Sequence, residues 1–322
     1  MTLLEVKKLK TFFFLGKDEY PAVDDVSFTI DEGETLAIIG ESGSGKSVTV
    51  LSIMGLVDFP GKIIGGEILY KGENLLRKTE KEMGRIRGNE IAMIYQDPMS
   101  TLNPMNKVGK QIAEALIIHK KAKKNEANKR ALELMKAVGI SDGEERFNHL
   151  PDQFSGGMRQ RLMIAMAIAC NPKILIADEP TTALDVTIQA EILDLLRNLK
   201  HEYNMSIILN THDLGVVAEM ADNVVVMYCG KIMEKAPNKE LFDNPLNPYT
   251  KKLMECIPRI DDKKKRLDSI EGYVPHPTEF SKGCRFSDRC SEVFQKCKEE
   301  LPDLKEVTPN HWVRCWLLDE NK

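Results

Sequence analysis

With 322 residues, the chain has room for two domains, or for one large domain with an extension. Its 42% hydrophobic and 29% charged residues are ordinary for a globular protein with a large core. A formal net charge of −4 gives no electrostatic footprint for nucleic acid, and the basic clusters HKKAKK and DDKKKR read as a solvated helix end and a linker. The N-terminal MTLLEVKKLK is too short and too charged for a signal peptide. The longest apolar run, Leu162 to Cys170, falls well short of the about 20 residues a membrane-spanning helix needs. The expectation is a chain that stays in the cytosol, does not cross a bilayer, and keeps its thiols reduced.

In chain order, LLEVKKL, VSFTI and ETLAIIG read as strands, with DEG turning between the last two. A Gly-rich loop follows, then the helical stretch KSVTVLSIMGL, and GGEILYKG and EIAMIYQ resume the strand pattern. From about Lys107 to Ala169 the apolar residues fall at helical spacing, as in VGKQIAEALIIH and EANKRALELMKAVGI. KILIAD is a short apolar run suited to a strand buried on both faces. A helix from Ile188 to about Tyr203 separates it from MSIILNTHD, and another precedes NVVVMYCGKIMEKA. Such alternation predicts a mostly parallel sheet with right-handed crossovers and a helical lobe inserted between its strands. Beyond NPLNPYTKKLMECIP the pattern fades into a polar linker, RIDDKKKRLDS, and a cysteine-bearing tail. No internal repeat is visible, so one nucleotide unit is expected.

GESGSGKS, Gly40 to Ser47, fits the P-loop pattern G-x-x-x-x-G-K-[ST] and lies between a predicted strand and a predicted helix. Glycines at 40, 43 and 45 let successive N–H groups, with Ser42, Ser44 and Val48 alongside, converge on phosphate oxygens at a helix N-terminus. Lys46 should reach the β- and γ-phosphates, and the Ser47 hydroxyl should ligate Mg²⁺. KILIADEP supplies a second half: Asp178 at the strand end suits a magnesium-holding carboxylate, and Glu179 beside it suits a general base for the attacking water. In FSGGMRQRLMIAMAIAC, Ser155 is a natural N-cap, and Gly156 and Gly157 open a second helix start able to bind an anion. One ATP on one chain has no need of two such sites. Two chains facing each other do, each closing over the nucleotide held by the other.

The order P-loop, YQDP, SGG, ADEP, TALD, THD resembles that of the ATP-binding cassette of ABC transporters. The implied fold is an α/β P-loop ABC ATPase cassette, with a mixed sheet core, an inserted helical lobe at about 100–170, and a small Cys-rich C-terminal extension. The implied domains are a nucleotide-binding domain over 1–250 and the extension over 251–322. By the same resemblance Gln96 is the Q-loop glutamine that senses Mg²⁺, Ser155 to Met158 form the signature loop, Asp185 is the D-loop aspartate, and His212 is the switch histidine that contacts the γ-phosphate. Phe13 is the best match for the aromatic that stacks on adenine, with Phe12 or Phe14 next in register. Met158 departs from the family's usual glutamine. SGGMRQRLMIAMAIACNPKILIADEPTTALDVTIQAEIL, YQDPMSTLNP, NPLNPYT and the cysteine tail are similar to the D-type ATPase subunit of dipeptide and oligopeptide importers. That resemblance implies an F-type cassette as partner (or a second copy when isolated), two transmembrane permease subunits, an external peptide-binding protein, and a peripheral place on the cytoplasmic face of the membrane. Relatives of the same architecture carry nickel or other small solutes. A soluble ABC ATPase acting on nucleic acid or ribosomes is the rival from another class.

Cys284, Cys290, Cys297 and Cys315 are separated by five, six and seventeen residues. Structural zinc sites usually begin with a pair two to four residues apart, and the spacing also misses the common ferredoxin patterns. Read alone, the four are a thiolate metal site or an inert Cys-rich tail. The resemblance implies a [4Fe–4S] cluster, with Zn²⁺ as the alternative and His311 as a possible substitute for one thiol. A tail of this size has little core of its own, so metal binding is expected to supply its folding energy. Cys170, Cys229 and Cys256 read as packed small hydrophobes.

Overall fold

The strand that delivers the chain to the P-loop, β3 (Thr35–Ile39), is buried at every residue. Such a run carries no alternation because both of its faces are covered. The computed structural model describes residues 1–97, 101–182, 184–256 and 270–319. Residues 98–100 of YQDPMSTLNP, Ala183 of TALD and the predicted linker from Arg259 to Ser269 lie outside them. The chain divides into two compact units, one of Met1–Arg77 with the described residues from Asn210 onward, the other of Lys78–Leu209.

In the first unit β1 (Thr2–Leu15) and β2 (Asp18–Asp31) form an antiparallel hairpin, and β4 (Gly61–Tyr70) and β5 (Glu73–Asn74) extend it in the order β2-β1-β4-β5. LLEVKKL and VSFTI are thus the base of a longer hairpin, which continues through Phe13↔Tyr20 to Leu15↔Asp18. Lys8, at φ 45, sits at a register shift there, so the alternation that marks a strand breaks at Lys7 and Lys8 although the pairing resumes. β3 runs parallel to β9 (Asn223–Tyr228), which turns through Cys229 and Gly230 into antiparallel β10 (Lys231–Pro237). The helix α1 (Lys46–Met54) follows the P-loop.

The tail adds two strands to this sheet. β12 (His311–Val313) pairs with β10 through Glu234↔Val313, and β11 (Lys305–Thr308) pairs with β12. The tail also shares the unit's core: Phe286 packs against Tyr228 and Tyr249 with ring centroids 5.3 and 5.1 Å away. The tail's central aromatic is thus buried in the core of the cassette rather than in a core of the tail's own.

In the second unit β6 (Ile91–Ile94) runs parallel to β7 (Ile174–Asp178), and β8 (Ser206–Asn210), whose last residue already belongs to the first unit, lies next in the order β8-β7-β6. Between β6 and β7 in the chain come the helices α2 (Val108–Ile118), α3 (Lys124–Ala137) and α4 (Gly156–Ile168). Their buried residues recur at three- and four-residue steps, as in Val108, Ile112 and Leu116, or Ala127, Ala131 and Leu134. α5 (Val186–Tyr203) follows β7. The sheets are mixed, with parallel pairs β3/β9 and β6/β7 and antiparallel additions.

His311 is not beside the thiols. It lies fully buried on β12, its Nε2 2.6 Å from Glu234 Oε1, while Glu234 accepts the N–H groups of Leu246 and Asn247 ahead of α6 (Pro248–Glu255). Burial opposes charge on His311, but Glu234, and Glu240 at 3.6 Å, outweigh it and raise its pKa. Stability from this pair is therefore complete below about pH 6.5, the ordinary histidine value, and is lost as pH rises through the raised one. Urea unfolding from pH 6 to pH 9 should show the wild-type midpoint falling relative to that of His311→Gln. Parallel pH dependence in the two proteins would mean that the pair does not titrate as a unit.

Candidate nucleotide site

β3 ends at Ile39 and the chain turns through Gly40, Gly43 and Gly45, at φ 148, 80 and 101. Gly40 and Gly45 are fixed by space as well as by φ. A Cβ at 40 would lie 2.1 Å from the Met227 carbonyl oxygen, and one at 45 would lie 2.2 Å from that of Ala22. Neither neighbour can yield without moving backbone, so the loop is seated directly on the β2 and β9 backbones. Gly43 meets nothing, and it and Ser42 are exposed at the loop's outer turn. Ser44 is buried, and its carbonyl accepts the Gly230 N–H at 2.9 Å.

Lys46 is only 5% exposed and its Nζ donates to the carbonyls of Gly40 at 2.8 Å and Glu41 at 3.2 Å. The ammonium thus arches over the loop it follows, where an anion seated on the loop's N–H groups would meet it. Thr49 Oγ1 donates to the Gly45 carbonyl and fixes the first turn of α1, in which Ser47 is exposed and Val48 half-buried. Asn210, at the end of β8, donates to Ser47 Oγ at 3.3 Å. Asn210 carries no motif of its own in the sequence, although its place directly before THD is a signal. His212 is exposed on the next turn, whose backbone is tied down because Asp213 accepts the Gly215 and Val216 N–H groups. Phe13 lies on β1 opposite Tyr20 and Gly61, half-buried, and alternates in face with Phe12 and Phe14.

The second unit carries the carboxylates. Asp178 closes β7 and is 7% exposed. Glu179 takes a left-handed φ of 48, rare for a residue with a Cβ and frequent where a side chain must be aimed. Its Oε2 accepts from Gln96 Nε2 at 2.9 Å and from Thr182 Oγ1 at 3.0 Å. Two residues singled out separately in the sequence are therefore in direct contact. Thr182 was missed because a lone threonine after a strand carries no pattern.

Ser155 caps α4, its Oγ accepting from Met158 N at 3.4 Å. Gly156 is open to solvent, whereas a Cβ on Gly157 would lie 2.8 Å from Ile188 Cγ2. Ile188 in turn gives its N–H to Asp185, the N-cap of α5, at 3.0 Å. The Ser-Gly-Gly loop and the aspartate of TALD thus meet through one isoleucine. Met158 is half-buried, with its Sδ 3.6 Å from Arg146. Gln160 donates to the Pro180 carbonyl at 2.6 Å and ties α4 to the segment that follows Glu179.

In the tail, Cys284, Cys290, Cys297 and Cys315 line one small cavity together with Met233, Phe286 and Trp316. Gly283 lets the segments close: its Cβ would lie 2.2 Å from the Cys297 carbonyl oxygen, which accepts the Cys284 N–H at 2.7 Å. Burial pushes the Cys284 thiol up to about 11 and the Cys315 thiol up to about 12, and Cys290 is raised for the same reason. Among the described residues, no three His, Cys, Asp or Glu side chains are placed to hold a single metal ion. Cys170 and Cys229 are buried, as small apolar residues would be.

The fold and the phosphate machinery are those of an ABC ATPase: residues 23–182 match the family described as ABC transporter. The dimeric structure of the ATP-binding cassette MJ0796, in a post-hydrolysis state bound to ADP and Pi, aligns with a TM-score of 0.66 and 30% identity, covering 73% of this chain and 98% of that one. Residues 233–297 match a second family, the oligopeptide/dipeptide transporter C-terminal region. The chain is 53% identical over 320 residues to the oligopeptide transport ATP-binding protein AppD of Bacillus subtilis (strain 168), covering 99% of this chain and 98% of that protein. It is 50% identical over 318 residues to the dipeptide transport ATP-binding protein DppD of Lactococcus lactis subsp. cremoris (strain MG1363), covering 98% and 91%. The chain belongs to the ATP-binding proteins of the oligopeptide/dipeptide ABC transporters. No helix among the described residues is long and apolar enough to cross a membrane.

Proposed function

We propose that this chain is the ATPase subunit that powers import of oligopeptides or dipeptides, working from the cytoplasmic membrane face with two permease subunits and an external peptide-binding protein. The observation that carries the reading is continuity: likeness to AppD runs over 99% of the chain, cassette and tail alike. A soluble ABC ATPase has no reason to carry the transporter family's C-terminal region, which matches at residues 233–297.

As domains we assign the nucleotide-binding part to 1–250, with its helical lobe at about 100–170, and the extension to 251–322. The P-loop N–H groups and Lys46 would hold the β- and γ-phosphates, Phe13 would stack on adenine, and His212 would touch the γ-phosphate. Ser47, Gln96 and Asp178 would hold Mg²⁺, whose charge offsets that of the phosphates. Glu179 would take the proton of the attacking water, and its contacts with Gln96 and Thr182 support this by fixing its carboxylate. Ser155 to Met158 would close over ATP held by an F-type partner cassette, with Asp185 at the junction. Glu179→Gln should keep ATP affinity within about twofold while slowing hydrolysis at this chain's own site by roughly 10²–10⁴-fold. Unchanged single-turnover hydrolysis would remove Glu179 from the role.

For the tail we propose a [4Fe–4S] cluster held by Cys284, Cys290, Cys297 and Cys315. What supports it is the donor set, four thiols lining one cavity. A cluster would supply a covalent cross-link between segments, a structural role. Protein purified without air should contain about four iron and four sulfide per chain, as the cluster formula requires. One zinc without sulfide would replace the cluster with a structural clip.

A further inference from the structure

Glu41 is the second residue of the phosphate loop, and its side chain plays no part in the roles assigned above. It is gripped from the C-terminal part of the chain at two points. Its carboxylate meets Arg289 in a bidentate pair, Nη1 to Oε2 at 2.7 Å and Nη2 to Oε1 at 3.0 Å. Its backbone N–H donates to Tyr249 Oη at 3.0 Å. Neither partner is loose. Arg289 is 5% exposed in its side chain and also donates to the carbonyls of Glu271 and Ile270 and to Tyr228 Oη. Tyr249 is fully buried, its ring 4.7 Å from that of Tyr228 and 5.1 Å from that of Phe286.

On its other side, the carbonyl of Glu41 accepts from Lys46 Nζ, the ammonium assigned above to the phosphates. One residue therefore stands between the tail's best-fixed arginine and the loop's phosphate-binding lysine. A planar guanidinium satisfied on every edge is a rigid clamp rather than a mobile counter-charge. We infer that Arg289 and Tyr249 are positioning residues for ATP binding: through Glu41 they hold the phosphate loop and Lys46 in their nucleotide-receiving shape, so that Arg289 makes the C-terminal extension a working part of the nucleotide site. The inference rests on ATP binding at the P-loop, and neither on the peptide cargo nor on a metal in the tail.

The test is a double-mutant cycle on the full chain, reading the Kd of a fluorescent ATP analogue for wild type, Arg289→Ala, Glu41→Ala and the double variant. Truncating either partner should weaken binding by about tenfold, and the double variant should be no weaker than the worse single, as expected for residues that act as one contact. Arg289→Lys should recover only part of the affinity, because an ammonium cannot span both carboxylate oxygens. Tyr249→Phe should weaken binding in the same direction. If Arg289→Ala does not fold, Glu41→Ala and Arg289→Lys carry the test. Lys46→Ala is the control for the site itself: if it leaves the Kd unchanged, ATP is not held by this loop and the underlying reading fails. Weakened binding in Lys46→Ala together with Kd values within twofold of wild type for Glu41→Ala and Arg289→Lys would overturn the clamp alone. Additive losses in the cycle would overturn it as well.

Discussion

The phosphate loop sits directly on backbone. Gly40 against Met227 and Gly45 against Ala22 leave no room for a side chain. The turn between β9 and β10 locks the same place from one side, with the Asp24 N–H donating to the Gly230 carbonyl and the Gly230 N–H to that of Ser44. The tail joins from another, since Asp24 pairs with both Lys231 and Arg285 at 2.9 Å. A loop that must present several N–H groups to one anion gains from such enclosure, because its conformational entropy is already lost before ligand arrives.

The C-terminal extension is therefore poorly described as an appendage. It lends two strands to a sheet of the cassette, Phe286 to its core, His311 to the buried Glu234, and Arg289 to the phosphate loop. Its four cysteines surround a cavity next to this framework. Truncating one partner of a buried, hydrogen-bonded charge pair leaves the other uncompensated, a loss of about 3–5 kcal/mol. The pair of His311 with Glu234 is fully buried, but Glu234 keeps the Leu246 and Asn247 N–H donors without His311, so its loss falls below that figure.

Much of this was legible in the sequence because the relevant signals are local. GESGSGKS, KILIADEP and SGG each combine a fixed spacing with a strand or helix end, and β3, β7 and α4 stand where those spacings require. What escaped was non-local or short. The β1–β2 hairpin is interrupted by a bulge at Lys8, so alternation understates its length. β11 is exposed throughout and β12 has three residues, leaving no periodicity to detect. Glu41 carries no local pattern between the glycines, since its partner lies 248 residues away. His311 looked like a spare metal ligand until burial paired it with Glu234. Asn210 and Thr182 gained meaning only from the atoms they touch.

The central question is whether ATP consumed by this chain moves peptide. The most direct measurement is uptake of a radiolabelled oligopeptide into proteoliposomes holding the chain with permease subunits and the proposed partner cassette, the proposed binding protein outside and nucleotide enclosed. Accumulation against a gradient with enclosed ATP, and none with ADP, is the predicted result. ATP turnover with no peptide accumulation, across peptides of several lengths, would contradict it.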